Sequence, residues 1–347
     1  MSDITVNLID KTGAVSQAGF GLILVFDPTQ DQEYIEVEEP AGLENYTAGD
    51  LAYDIVAKAF EQDITPDKIA VFGSDMGAME PDYDTIAEAL DDLTTSQGND
   101  GFYWVGVASR EEQDIIDTAN WASANGRVFI GQPDNEADVS DIETLMGNFS
   151  SDRIAIFAHD GGPSGDEPTF DGGVLGYFAP LTIGNYTFKW QTINGVSRTS
   201  YSTTDISSLT DEDVNANTYR RKSGVNYIIE GVASDGSFLD IRVIKDWLQA
   251  RLEEDLLQLF TDNQKVSYDD AGIAQVESVI RKRLKNAFNN GIIAEDEEGE
   301  AMFSVNVPKR ADIPTNDRAN RVLPDIEFEM TISGAVHSVD VTGVILV

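Results

Sequence analysis

The chain has 347 residues, 41% of them hydrophobic, and carries 62 acidic against 23 basic side chains, for a formal net charge of −39 and a pI near 4.1. That apolar content supports real cores and excludes wholesale disorder, while the charge argues against naked nucleic acid or anionic membrane as a partner. The lack of cysteine removes disulfides and thiolate metal sites, and two histidines, His159 and His337, make a poor imidazole metal centre.

In chain order, "ITVNLI" alternates, with Ile4, Val6 and Leu8 on one face, and "GFGLILVF" is an apolar run behind glycines; both predict strands. A regular series follows. "TAGDLAYDIVAKAFEQ" places Leu51, Ile55, Val56, Ala59 and Phe60 at helical spacing and leads into the strand "KIAVFGS". "YDTIAEALDDLTTS" is a helix before the strand "GFYWVGVAS". "REEQDIIDTANWASANG" is a helix closed by Asn125-Gly126 before "RVFIGQ". "DVSDIETLMGNF" is a helix before "RIAIFAHD". Four helix–strand repeats with nearly uninterrupted apolar strands predict an α/β fold with a mostly parallel sheet.

Beyond Phe170 the character changes. "DGGVLGYFAPL" is rich in small residues and gives way to an alternating "YTFKWQTI". "LTDEDVNANTYRRKSG" has an acid-rich first turn and predicts a helix ending at Gly224, ahead of the strand "VNYIIEG". The longest helical pattern is "GSFLDIRVIKDWLQARLEEDLLQLFTD". A second, "DDAGIAQVESVIRKRLKNAFNNG", ends at Asn290-Gly291. Strands "AMFSVNV" and "IEFEMTI" precede a terminal one, in which Val339, Val341, Ile345 and Val347 share a face.

A layered α/β body invites an enzymatic reading. No G-x-G-x-x-G follows the first strand, and no phosphate-binding G-x-x-x-x-G-K-[ST] occurs. Asp160, Asp166, Glu167 and Asp171 could hold a divalent cation, but their spacing is not that of an EF-hand loop, and they read rather as an acidic surface loop. His159, at a strand end without an evident nucleophile, reads as structural. A metal-dependent α/β hydrolase using these loops is therefore the alternative class.

Charge is uneven along the chain: only six of the 23 basic side chains precede residue 181. The acidic excess is read as adaptation to a saline cytoplasm, where a Debye length of about 3 Å at molar salt screens self-repulsion. The run Arg281, Lys282, Arg283 and Lys285 is read as the one dense basic cluster. It could meet an acidic neighbour or serve as a solvated helix end that suits the dipole. Arg318 and Arg321 could anchor the last hairpin or decorate a loop. Asn45, Asn148 and Asn185 open glycosylation-type triplets of a kind common by chance. No run of about 18 apolar residues occurs, so no membrane-spanning helix is expected. "MSDITVNLID" lacks the features of a signal peptide, so a cytoplasmic protein is expected before it joins an assembly.

The second half resembles the contractile tail sheath proteins of tailed viruses and related injection machines. The resemblance is carried by "GSFLDIRVIKDWLQARLEEDLLQLF", "VSYDDAGIAQVESVIRKRLKNAFNNGII", "VNVP" and "DRANRVLPDIEFEMTISGAVHSVDVTGVILV", in that order, over residues 171–347. It implies an N-terminal arm over 1–22, an acidic outer α/β domain over 23–170, an inner sheath domain over 171–334 and a C-terminal arm over 335–347. It further implies a helical homo-oligomer around a tail tube protein, with baseplate and tail terminator proteins as partners, and no cofactor, metal or catalytic residue. Arm strands carrying Ile4, Val6, Leu8, Val339, Val341, Ile345 and Val347 would then complete sheets in neighbouring copies.

Overall fold

The computed structural model of the chain describes residues 19–79, 82–164 and 169–339. Ile4, Val6, Leu8, Val341, Ile345 and Val347, together with Asp166 and Glu167, lie outside the described residues.

Two units meet within the chain at Ala250 and Arg251. The first is built on a sheet of eight strands. β1 (Ile23–Asp27), β2 (Gln32–Val37), β3 (Ile69–Gly73), β4 (Trp104–Val107), β5 (Val128–Gly131), β6 (Ile154–Ala158), β7 (Asn217–Lys222) and β8 (Val225–Ile229) lie in the order β2-β3-β1-β4-β5-β6-β7-β8. From β3 to β7 all neighbours are parallel; only the edge strands β2 and β8 run antiparallel. β1, β3, β4, β5 and β6 are buried along their whole length, so their side chains feed two cores, as a doubly covered parallel sheet requires. Ile23, Val25, Ile69, Val71, Val128 and Ile130 face one core with α1 (Leu51–Phe60), α5 (Phe170–Phe178) and the start of α7 (Leu239–Asp262). Leu24, Phe26, Ala70, Phe72, Val105 and Phe129 face the other, under α2 (Ile86–Asp91), α3 (Glu112–Ala124), α4 (Val139–Met146) and α6 (Thr203–Leu209). The α/β expectation holds.

Three details differ from the sequence reading. Residues 209–224, expected to be helical, instead form a turn and β7: Asn217, Thr218 and Tyr219 are buried in the sheet, and Ser223-Gly224, at φ 52° and 90°, make a tight hairpin into β8. The acid-rich start had the right charge for a helix. The β-branched and aromatic run with a following Ser-Gly pair was the stronger signal. Second, the glycine-rich stretch after Thr169 is helix α5. A side chain on Gly172 would meet Ile55 O at 2.5 Å, and one on Gly176 would meet Ala59 Cα at 2.3 Å, so these glycines let α5 lie backbone to backbone on α1. Third, because β6 pairs with β7, residues 171–250 complete the first unit's sheet, and the boundary falls at 250 rather than 170.

The second unit, from Arg251 on, holds the end of α7, α8 (Asp270–Asn289), β9 (Phe303–Asn306), α9 (Thr315–Asn320) and β10 (Glu327–Met330). α8 ends at Asn290, with Gly291 at φ 77°, as its Asn-Gly pair predicts. β9 and β10 form an antiparallel pair, Val305 facing Phe328 and Phe303 facing Met330.

Candidate assembly surface

In an open parallel sheet, ligands bind beyond the carboxyl ends of the strands, where strand order reverses. Here that point lies between β1 and β4. Several polar groups at this end are engaged within the chain, beside a cavity of about 360 Å³ lined by Glu112, Asp134, Glu136 and Asp141. Arg110, just after β4, pairs with the buried Asp171 at the start of α5 (Nη1 to Oδ2 2.8 Å, Nη2 to Oδ1 3.2 Å). Gln132, just after β5, accepts through Oε1 from the amides of Phe170 (2.7 Å) and Asp171. Asp160 is engaged by backbone, accepting from Ser200 N and Gly162 N. Thus two of the four carboxylates proposed for a cation are committed to structure, and Asp166 and Glu167 lie outside the described residues. Among those described, no three carboxylates or histidines converge on a metal position. His159 is fully buried, donating from Nε2 to Ser197 O (2.8 Å) and accepting at Nδ1 from Gly161 N (3.1 Å); burial lowers its pKa. It holds a turn, as expected.

The amino ends of the same strands are clamped by charge. Asp246 of α7 accepts from Arg153 (2.5 and 2.7 Å), from Arg242 (2.5 Å) and from the hydroxyl of Tyr103 (2.8 Å), with all four side chains buried. Arg242 also reaches Asp152 at 2.9 Å. Hydrogen-bonded pairs on this scale are expected only where every charge is matched. The residues are up to 143 positions apart, and no local motif announces them.

The unfinished parts lie in the second unit. The "YDDAG" stretch there is a structural joint. Asp269 caps α8 through Gly272 N (2.9 Å), and a side chain on Gly272 would meet Ser267 O at 1.8 Å. Asp270 receives Arg310 N, and Tyr268 donates to Val322 O. Of the basic run, Arg283 forms a fork with Asp255 (2.7 and 2.8 Å), tying α8 to α7. Arg281 binds Glu277 (2.7 Å) and donates to Val305 O (2.8 Å), capping the outer side of β9. Lys282 and Lys285 are exposed. Arg318 reaches Thr315 and Arg310 O, and Arg321 ends α9 at φ 60°, so both shape the preceding loop.

Each strand of the β9–β10 pair has one strand partner among the described residues. Because Thr331 N donates to Met302 O, alternate residues of β10 point toward β9, and Phe328 and Met330 present their amides and carbonyls to the other edge. Large apolar groups stand open in the same unit: Leu257 and Phe260 near the end of α7 at 46% and 47% exposure, Val339 at 73%. An edge without a strand partner among the described residues, in a unit that also exposes large apolar side chains, is an aggregation hazard in a monomer and a joint in an assembly.

Residues 239–345 match the family described as E217 tail sheath protein gp31-like, C-terminal domain. No curated protein matches the chain in sequence. Among solved structures, the contracted helical sheath of the anti-feeding prophage superposes with a TM-score of 0.69 at 13% identity over 99% of both chains. The contracted PVC sheath of an extracellular contractile injection system gives 0.67 at 9% identity, over 99% of this chain and 97% of that one. The sheath tail protein of Desulfitobacterium hafniense gives 0.57 at 10% identity, over 87% and 93%. The fold is that of contractile sheath proteins, and residues 239–345 match the tail sheath C-terminal domain family. The hydrolase alternative finds no support.

Proposed function

We propose that this subunit polymerises helically around a tail tube protein in a contractile virus tail, between baseplate and tail terminator, and shortens to drive the tube through a host envelope. Residues ahead of Gly19 and residues 335–347 act as arms that complete the β9–β10 sheet in adjacent copies; the N-terminal arm stops short of the expected residue 22 because Phe20 is buried in this chain's own core and its carbonyl accepts from Trp104 Nε1. The carrying observation is the β10 edge, without a second strand partner among the described residues, inside the segment that matches tail sheath C-terminal domains. The exposure of Val339 and the alternation of "VDVTGVILV" supply a strand of the right kind to add there.

A lent strand of five or six residues makes several backbone hydrogen bonds, each worth about 0.5–1.5 kcal/mol net. Val341 and Ile345 each add roughly 1.5–3 kcal/mol on full burial. Two such links per copy form a mesh that persists while the bodies move. Contraction is then a shift between two packings of unchanged bodies, and non-closing contacts build a helix instead of a ring. Lys282 and Lys285, left exposed while Arg281 and Arg283 are engaged in their own chain, supply a charge contact to the tube or an adjoining subunit. Assembly takes place in the cytoplasm of a halophilic host, where salt screens the −39 charge.

Negative-stain microscopy in high salt tests this reading. The full chain should give tubes or stacked rings, and a chain ending at Ser338 should fold with an unchanged far-UV spectrum yet lose long assemblies. Unaltered tubes from the shortened chain would overturn the arm assignment.

A further inference from the structure

A second basic run, Arg220-Arg221-Lys222, lies at the end of β7, in the stretch expected to be helical. Pairing across the hairpin sets Arg220 opposite Tyr227 and Lys222 opposite Val225, so these four side chains share one face of the sheet edge. Arg221 and Lys222 are exposed, and Val225 is 57% exposed. Trp190 extends this face. Its ring lies 4.9 Å from that of Tyr227, its φ is 75°, and 46% of it meets solvent. Lys189 Nζ lies 5.4 Å from the Trp190 ring while paired with Glu230.

The edge itself is already blunted. Trp190 N donates to Ile228 O, Ile228 N donates to Gln191 O, and Thr192 Oγ1 donates to Asn226 O, so residues 190–192 cover the outer side of β8. What remains available is a face, not a strand edge. Trp190 and Arg220 on one surface are of the residue types that dominate binding hot spots, with the buried Tyr227 backing the Trp190 ring.

We propose that the β7–β8 hairpin is a basic, aromatic prong that docks on an acidic face of a second copy of this chain. Charge selects the occupant: in a −39 chain the prong is one of two positive runs, the one on the α/β unit, and every copy offers acidic surface to it. The complementary surface sits at the same end of the sheet. Beyond the carboxyl ends of β4 and β5, a cavity of about 360 Å³ is lined by Glu112, Asp134, Glu136 and Asp141, with Arg110 already paired to Asp171. A prong on one flank and its complement elsewhere on the same body form a heterologous contact, the kind that propagates. The contact rests on the sheath reading but uses the α/β unit, separate from the arms.

Sedimentation equilibrium and negative-stain imaging of the full chain test it. The variants are Arg220→Glu/Arg221→Glu/Lys222→Glu, Trp190→Ala, and Lys309→Glu as an exposed control, each first checked by thermal melting. Self-association should weaken at least tenfold in the triple variant and in Trp190→Ala, with the control unchanged. Mixing the triple variant with a Glu112→Lys/Asp134→Lys/Glu136→Lys chain should restore association. Wild-type tubes with equal self-association in all variants would overturn the prong while leaving the sheath reading intact. An absence of tubes with hairpin-dependent pairing would do the reverse. Loss of binding to a labelled DNA oligonucleotide in the triple variant, with self-association unchanged, would also overturn it.

Discussion

Replacing Asp246 with alanine removes the acceptor that two arginines share. Arg153 and Arg242 are each 1% exposed, and Asp246 takes the Arg153 fork, one nitrogen of Arg242 and the Tyr103 hydroxyl. After the change, Arg242 keeps Asp152 at 2.9 Å, but Arg153 retains only Gly126 O at 2.9 Å. One guanidinium is then left buried without a counter-charge. Breaking a buried pair in this way costs about 3–5 kcal/mol. For a unit of this size each kcal/mol moves the melting temperature by about 2–4 °C, so Asp246→Ala should lower Tm by about 6–20 °C. Calorimetry at fixed salt measures it, with Glu254→Ala as control, since the partly exposed Arg251–Glu254 pair is worth at most about 1 kcal/mol. Replacing Arg153, Arg242 and Asp246 together by leucine or methionine should recover most of the loss, because it leaves no fully buried charge unpaired and Asp152, which loses Arg242, keeps contact with solvent at 23% exposure. A drop for Asp246→Ala no larger than that of the control would refute the view that this cluster clamps α7 to the sheet.

Gly176→Ala should cost about 1–3 kcal/mol, measured by urea unfolding, because its methyl meets the Ala59 backbone and α5 must move off α1; an unchanged midpoint would contradict that packing. His159 is held neutral with a lowered pKa, so the unfolded state binds the extra proton: stability is fully present above about pH 6.5 and declines as pH falls toward the folded pKa. His159→Gln should show a shallower fall in Tm than wild type as pH drops below about 6.5, and parallel profiles would refute this. Lys282→Glu/Lys285→Glu should leave Tm nearly unchanged and impair sheath assembly in co-expression with the tube protein; normal sheaths would remove that contact. Raising KCl from 0.1 to 1 M shortens the Debye length from about 10 to 3 Å and should raise Tm, whereas a flat response would count against charge repulsion as a limit on stability.

Much of the first unit was legible because its information is local. Nearly uninterrupted apolar runs at β1 and β3–β6, amphipathic spacing in α1, α3 and α4, and the Asn125-Gly126 stop each depend on a few neighbouring residues. A parallel α/β sheet with helices on both faces is the arrangement that buries all of them. The order of α7, the "YDDAG" joint, α8 and the last strand pair was likewise readable, and it carried the family resemblance. Other features are decided by contacts distant in sequence. α5 gives no helix signal because three glycines are poor helix formers, and only the close approach of α1 makes them the residues that fit. β7 reads as a helix by charge, yet a place beside β6 and a hairpin to β8 outweigh that weak preference. Residue types alone do not show whether a charge is spent within its own chain. Asp171, Arg281 and Arg283 are so engaged, while Lys282, Lys285 and Lys222 stand exposed, because that outcome depends on which groups folding brings within about 3 Å.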